Sequence, residues 1–95
     1  MITVRAGPGY IEVTGHANYA PPGFDIVCAA VSTLVDTLVA SVKDLTDDRI
    51  KEDLQPGRAV IRYGDLSARG RLLVDSFFVG VKGVAGVYPD RVEVI

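Results

Sequence analysis

The chain has one cysteine and one histidine among its 95 residues. A single thiol cannot close an internal disulfide, which suits a reducing compartment. One His and one Cys also fall short of the three or four ligands a zinc site takes, so no metal is expected. No cofactor is implied either: Gly7-Pro8-Gly9 has neither the downstream Gly-Lys nor the directly following helix of a phosphate loop. Positive charge is not in excess. The net charge of −2 excludes a charge-driven grip on nucleic acid. A clean membrane span is missing too, because Ser32, Thr33, Asp36, Thr37 and Ser41 interrupt the apolar-rich residues 26–42. The opening MITVRAGPGYIEV lacks a basic-then-apolar signal pattern, so the expected address is cytoplasmic, with no membrane partner. There is no linker, no low-complexity tract and no repeat beyond a loose ββα duplication, and one domain over residues 1–95 is expected.

What is present is a globular composition, 48% hydrophobic and 23% charged. Ile2–Val4 and Tyr10–Thr14 lean towards strands, and the Gly7-Pro8-Gly9 turn between them predicts a hairpin. In the second strand Tyr10, Glu12 and Thr14 share the wetter face, and Ile11 and Val13 the drier one. That strand ends at Gly15, which leaves His16 at the rim of the sheet. Pro21 and Pro22 keep residues 17–24 out of either regular structure. From Val27, apolar residues at 27, 31, 34, 35, 38 and 42 form a helical stripe facing a sheet. Thr46-Asp47-Asp48 breaks that helix. Residues 50–55 and 59–63 form a second hairpin around Pro56-Gly57, a type II turn pair. Residues 67–84 read as a second helix with Ser67 as a cap, although Gly70, Gly80 and Gly83 each cost it roughly 1 kcal/mol relative to Ala. Small residues at a close helix contact would offset that cost. A last strand over 91–95 completes the order ββαββαβ, which predicts a two-layer α/β domain with a mixed sheet and two main helices.

The only imidazole thus stands at a strand end, and the only thiol in the first turn of a helix. Unsatisfied N–H groups and the helix dipole favour negative charge at Cys28, and a nearby imidazole would stabilise a thiolate further. The same N–H groups, aimed at a tetrahedral oxygen, would serve as an oxyanion hole, with Asp25 as a cap competing for some of them, so that its donors stay unassigned. Asp25, Cys28 and Ser32 can point into one space, being three and four residues apart. Two roles are open to Asp25: helix cap, which its position favours, or orienter of His16. Ser32 is either a partner for the thiolate or imidazole or a small residue on a helix flank. The blander alternative for the pair itself is a small buried Cys and a His closing a strand.

Gly15-His16-Ala17, followed by Gly23-x-Asp25-Ile26-Val27-Cys28-Ala29-Ala30-x-Ser32, resembles the signature of the ribosomal-processing cysteine proteases (Prp). The likeness extends over most of the chain, with Met1-Ile2-Thr3-Val4 and Tyr88-Pro89-Asp90 fitting the family's ends. The resemblance implies a homodimeric cysteine endopeptidase that removes the N-terminal extension of large-subunit ribosomal protein L27, cutting after an aromatic residue and before a small one. It implies His16 as base and Cys28 as nucleophile, with Gly15, Asp25 and Ser32 supporting them. A mobile loop between histidine strand and catalytic helix would help form the substrate site. Tyr19-Ala20-Pro21-Pro22-Gly23 is stiffer than a glycine-rich loop, with Gly23 as the remaining hinge. Tyr19 and Phe24 are candidates for an aromatic substrate pocket, and Phe24 alternatively for a core plug. Phe77 and Phe78 are expected in the core. A phage-type relative that trims capsid or scaffold protein, or an inactive relative that binds a ribosomal partner, fits the same residues.

Overall fold

A computed structural model describes residues 1–95. The elements are β1 (Ile2–Gly7), β2 (Tyr10–Thr14), α1 (Ile26–Leu45), β3 (Ile50–Gln55), β4 (Arg58–Tyr63), α2 (Ala68–Val87) and β5 (Val92–Val94). The predicted order ββαββαβ is the observed one. The strands form one mixed sheet in the order β3-β4-β2-β1-β5. Only β1 and β5 run parallel, pairing Ile2 with Val92 and Val4 with Val94.

Boundaries moved where pairing, not propensity, decides them. β1 runs past Val4 to Gly7 because Ala6 and Gly7 pair with Ile11 and Tyr10. α1 runs to Leu45 and is closed by Thr46, whose N–H and hydroxyl both donate to the Val42 carbonyl. Ser67 caps α2 by accepting from the Gly70 N–H, so the helix begins at Ala68, and it continues past the predicted Val84 to Val87. Gly57 has φ +75°, as the second central residue of a type II turn requires.

Both helices cover one face of the sheet. Val27, Val31, Val35, Leu38, Val39 and Val42 of α1 are buried in a single core with Ile2, Val4, Ile11, Val13 and Ile61 of the strands and Phe77 and Val81 of α2. Each such side chain contributes roughly 1.5–3 kcal/mol by leaving water. α1 is long and apolar enough to cross a membrane, yet here its stripe is spent on the sheet. Phe77 is buried and meets Phe78 edge-on. Gly80 marks a close helix crossing, since a Cβ there would lie 2.8 Å from Leu34 Cδ2 of α1. The glycine thus lets the two helices approach, as a small-residue contact would. The consequence for function is positional: the sheet fixes the end of β2, and the core stripe fixes the start of α1 directly above it.

Candidate active site

Gly15 ends β2 with φ +93°, and a side chain at that position would collide with the backbone carbonyl of Met1. Its N–H donates to the Gly57 carbonyl at 2.9 Å, tying the strand end to the β3–β4 turn. The imidazole of His16 then lies against that turn: a Cβ on Gly57 would stand 2.7 Å from Nε2. On the other side, the Met1 ammonium donates to the His16 carbonyl at 2.7 Å. His16 is therefore held through its backbone on both flanks, while its ring stays exposed.

Cys28 sits in the first turn of α1, half-buried, and is the free thiol expected from the sequence. The Ala17 N–H donates to its Sγ at 3.4 Å. That bond joins the peptide directly after His16 to the sulfur, so the strand end and the helix start share one site. A groove of ≈ 220 Å³ contains His16, Cys28 and Ser32, with Val31, Val35 and Leu54 as an apolar wall. A second depression of ≈ 600 Å³ has His16 and Cys28 on its rim and runs beneath the loop at Asn18, Ala20, Pro22 and Gly23. The pair thus stands where two surface clefts meet. Ser32 lines the first cleft but makes no hydrogen bond to Cys28 or His16, which leaves it as a small wall residue.

Of the two roles open to Asp25, the cap is the one observed. Oδ1 accepts from the N–H groups of Val27 (3.1 Å) and Cys28 (2.9 Å), and Oδ2 from the N–H of Tyr19 (3.0 Å). None of its bonds reaches His16. Asp25 therefore fastens the 16–25 loop to the helix start with one carboxylate. Two of the first-turn N–H groups offered as oxyanion donors, those of Val27 and Cys28, are thus engaged by Asp25, the competition that its capping role implies. The amide left at the sulfur is that of Ala17, which sequence reasoning missed because it belongs to a loop and not to the helix.

The N–H of Cys28, foremost among its donors, holds the Asp25 carboxyl below the usual carboxylate range. A lowered folded-state value means the cap stabilises fully above the ordinary carboxylate range and is lost as pH falls through the folded value. Asp25→Ala is accordingly expected to lower the melting temperature by several degrees at neutral pH. Asp25→Asn, which keeps an acceptor, should lose less and should flatten the stability–pH curve at its acid end. Thermal unfolding followed by circular dichroism between acid and neutral pH checks both; identical curves for Asp25→Ala and wild type would refute the cap's contribution.

The loop residues separate. Gly23 has φ +88° with open space around it and lines the second cleft, in keeping with a hinge. Tyr19 and Phe24 line neither of these two clefts. Tyr19 turns away to meet Tyr88 edge-on at 5.5 Å, with Arg91 6.0 Å from its ring centre. Phe24 is 76% exposed, so it is no core plug.

A family model described as cysteine protease Prp matches residues 3–93 of this chain. A Mycoplasma genitalium protein named ribosomal processing cysteine protease Prp is 27% identical over 94 residues, spanning 99% of this chain and 94% of the relative. Among solved structures, Staphylococcus aureus Prp with a covalently linked product peptide superposes with a TM-score of 0.94 at 24% identity, covering 99% of this chain and 97% of that one. At that identity the likeness is one of fold. A Streptococcus mutans protein is 32% identical with a TM-score of 0.75, covering 98% of this chain and 87% of that one.

Proposed function

Because this chain belongs to the Prp family of cysteine proteases, we propose that His16 and Cys28 are its catalytic pair and that it removes the N-terminal extension of large-subunit ribosomal protein L27. The observation that carries the pair is the bond from the Ala17 N–H to Cys28 Sγ, which brings the histidine-bearing strand end onto the thiol at the meeting of two clefts. The name of the Mycoplasma genitalium relative, a ribosomal processing protease, supports a ribosomal-protein substrate, and the resemblance to the Prp signature points to L27 among these.

His16 accepts the proton of Cys28, and the thiolate attacks the scissile carbonyl to give a tetrahedral oxyanion. With the Val27 and Cys28 N–H groups held by Asp25, the Ala17 N–H is the donor standing at the sulfur to receive that charge. As the intermediate collapses, protonated His16 gives its proton to the departing amine, leaving a thioester on Cys28. His16 next deprotonates a water that attacks the thioester, and the proton returns to the sulfur as the acid product leaves. The wall of Val31, Val35 and Leu54 beside Cys28 suits an aromatic side chain ahead of the cut. Residues 1–95 act on this reading as one protease domain, homodimeric and cytoplasmic, whose net charge of −2 gives no grip on ribosomal RNA.

The test is mass spectrometry of the source organism's L27 precursor after incubation with the protein. The expected result is a single cut after an aromatic residue and before a small one. An uncut precursor, or cuts scattered along the chain, would overturn the substrate assignment.

A further inference from the structure

Arg91 reaches the catalytic loop from the far end of the chain. Its backbone carbonyl accepts from the N–H of Ile2 where β5 meets β1, and its own N–H donates to the Tyr88 carbonyl. From this anchored position one guanidinium nitrogen donates to two consecutive loop carbonyls, Ala17 at 3.2 Å and Asn18 at 2.7 Å. The group also lies 6.0 Å from the centre of the Tyr19 ring, which itself rests edge-on against Tyr88. Three successive residues after His16 are thus held by one cation.

Asn18 has φ +52°, a left-handed conformation that asparagine adopts more readily than other residues with a side chain. Two adjacent carbonyls converging on one point repel unless a donor stands between them. A guanidinium is planar, permanently charged and rich in donors, and so answers both oxygens. Ala17 is the link to chemistry: it is buried, its carbonyl is on Arg91, and its N–H is on Cys28 Sγ.

Resting on the catalytic reading above, we propose that Arg91 is a positioning residue for the reaction. By holding the Ala17 and Asn18 carbonyls it keeps the Ala17 N–H aimed at the sulfur, and at the oxyanion that forms beside it. Arg91 touches neither the sulfur nor the imidazole; it acts through the backbone of Ala17.

The experiment compares Arg91→Ala, Arg91→Lys and wild type in three readouts: steady-state cleavage of a precursor peptide, iodoacetamide alkylation of Cys28, and thermal unfolding. Displacing a preorganised donor should lower kcat of Arg91→Ala by roughly 10²-fold. KM should stay within about twofold, since the lost contact matters chiefly in the transition state. Alkylation of Cys28 should slow as well. Millimolar guanidinium should restore part of both rates, and Arg91→Lys should fall between. Wild-type kcat and alkylation rates in Arg91→Ala overturn the proposal. Losses that follow unfolding in both variants, with no guanidinium rescue, also overturn it and leave Arg91 a purely structural residue. If wild type itself leaves the peptide uncut while alkylation still slows and is rescued in Arg91→Ala, the positioning role stands and the substrate assignment falls.

Discussion

Replacing Cys28 by alanine is expected to abolish peptide cleavage while the protein folds as before. The thiol is half-buried and the bond it accepts from the Ala17 N–H is weak, so the fold loses little with it. Alanine is also the better helix former in the first turn of α1. Catalysis loses everything that passes through a covalent thioester. Removal of a nucleophile from a protease of this type costs on the order of 10⁴- to 10⁶-fold in kcat. The measurement is intact-mass spectrometry on mixing with substrate. Wild type should show a transient adduct on Cys28, and Cys28→Ala none, with unchanged circular dichroism. Turnover by the alanine variant at the wild-type rate would sink the covalent mechanism.

His16→Ala should follow closely, losing roughly 10²- to 10⁴-fold in kcat through the missing general base and acid. The structure adds a second route to the same ring. Gly57 stands under Nε2 with φ +75°, so Gly57→Ala both strains the turn, by roughly 1–2 kcal/mol, and pushes the imidazole from its seat. Its Cβ would need the 2.7 Å now separating that point from Nε2 to grow to an ordinary contact. Gly57→Ala is therefore expected to lose much of its kcat although residue 57 carries no chemistry. Steady-state kcat of the two variants side by side is the check: Gly57→Ala, which keeps the ring, should retain more turnover than His16→Ala. Full activity in Gly57→Ala would mean that the ring works from a different position.

The residues that the sequence made legible are those whose signal is local. The alternation of Ile11 and Val13 predicted the inner face of β2, and the stripe from Val27 to Val42 predicted the buried face of α1. Asp25 and Ser67 were readable as caps because a capping carboxylate or hydroxyl acts within three residues of itself. The glycines of α2 were harder. Gly80 earns its place through Leu34, a residue on another helix, and no spacing along α2 discloses that partner.

The illegible part of the site is the part built from distant chain. The sequence shows that Asp25 as a cap competes for first-turn N–H groups, but not that the loop amide of Ala17 comes to stand at the sulfur. Tyr19 looked like a pocket residue by its neighbours in sequence, whereas its neighbours in space are Tyr88 and Arg91. The bonds from Arg91 span 74 and 73 residues, far beyond any motif. Nor does the order of elements disclose the parallel pairing of β1 with β5, which is what brings Arg91 to the loop.

That pairing also bears on timing. A ribosome delivers a chain from its N-terminal side, so the strand of His16 and the helix of Cys28 emerge well before Arg91 does. Until β5 docks beside β1, the carbonyls of Ala17 and Asn18 lack their cation. Contacts between residues so far apart are among the slowest to close, since the loop entropy must be spent first. The topology thereby defers completion of the site until β5, which follows every other element of the sheet and both helices in chain order, has emerged and docked.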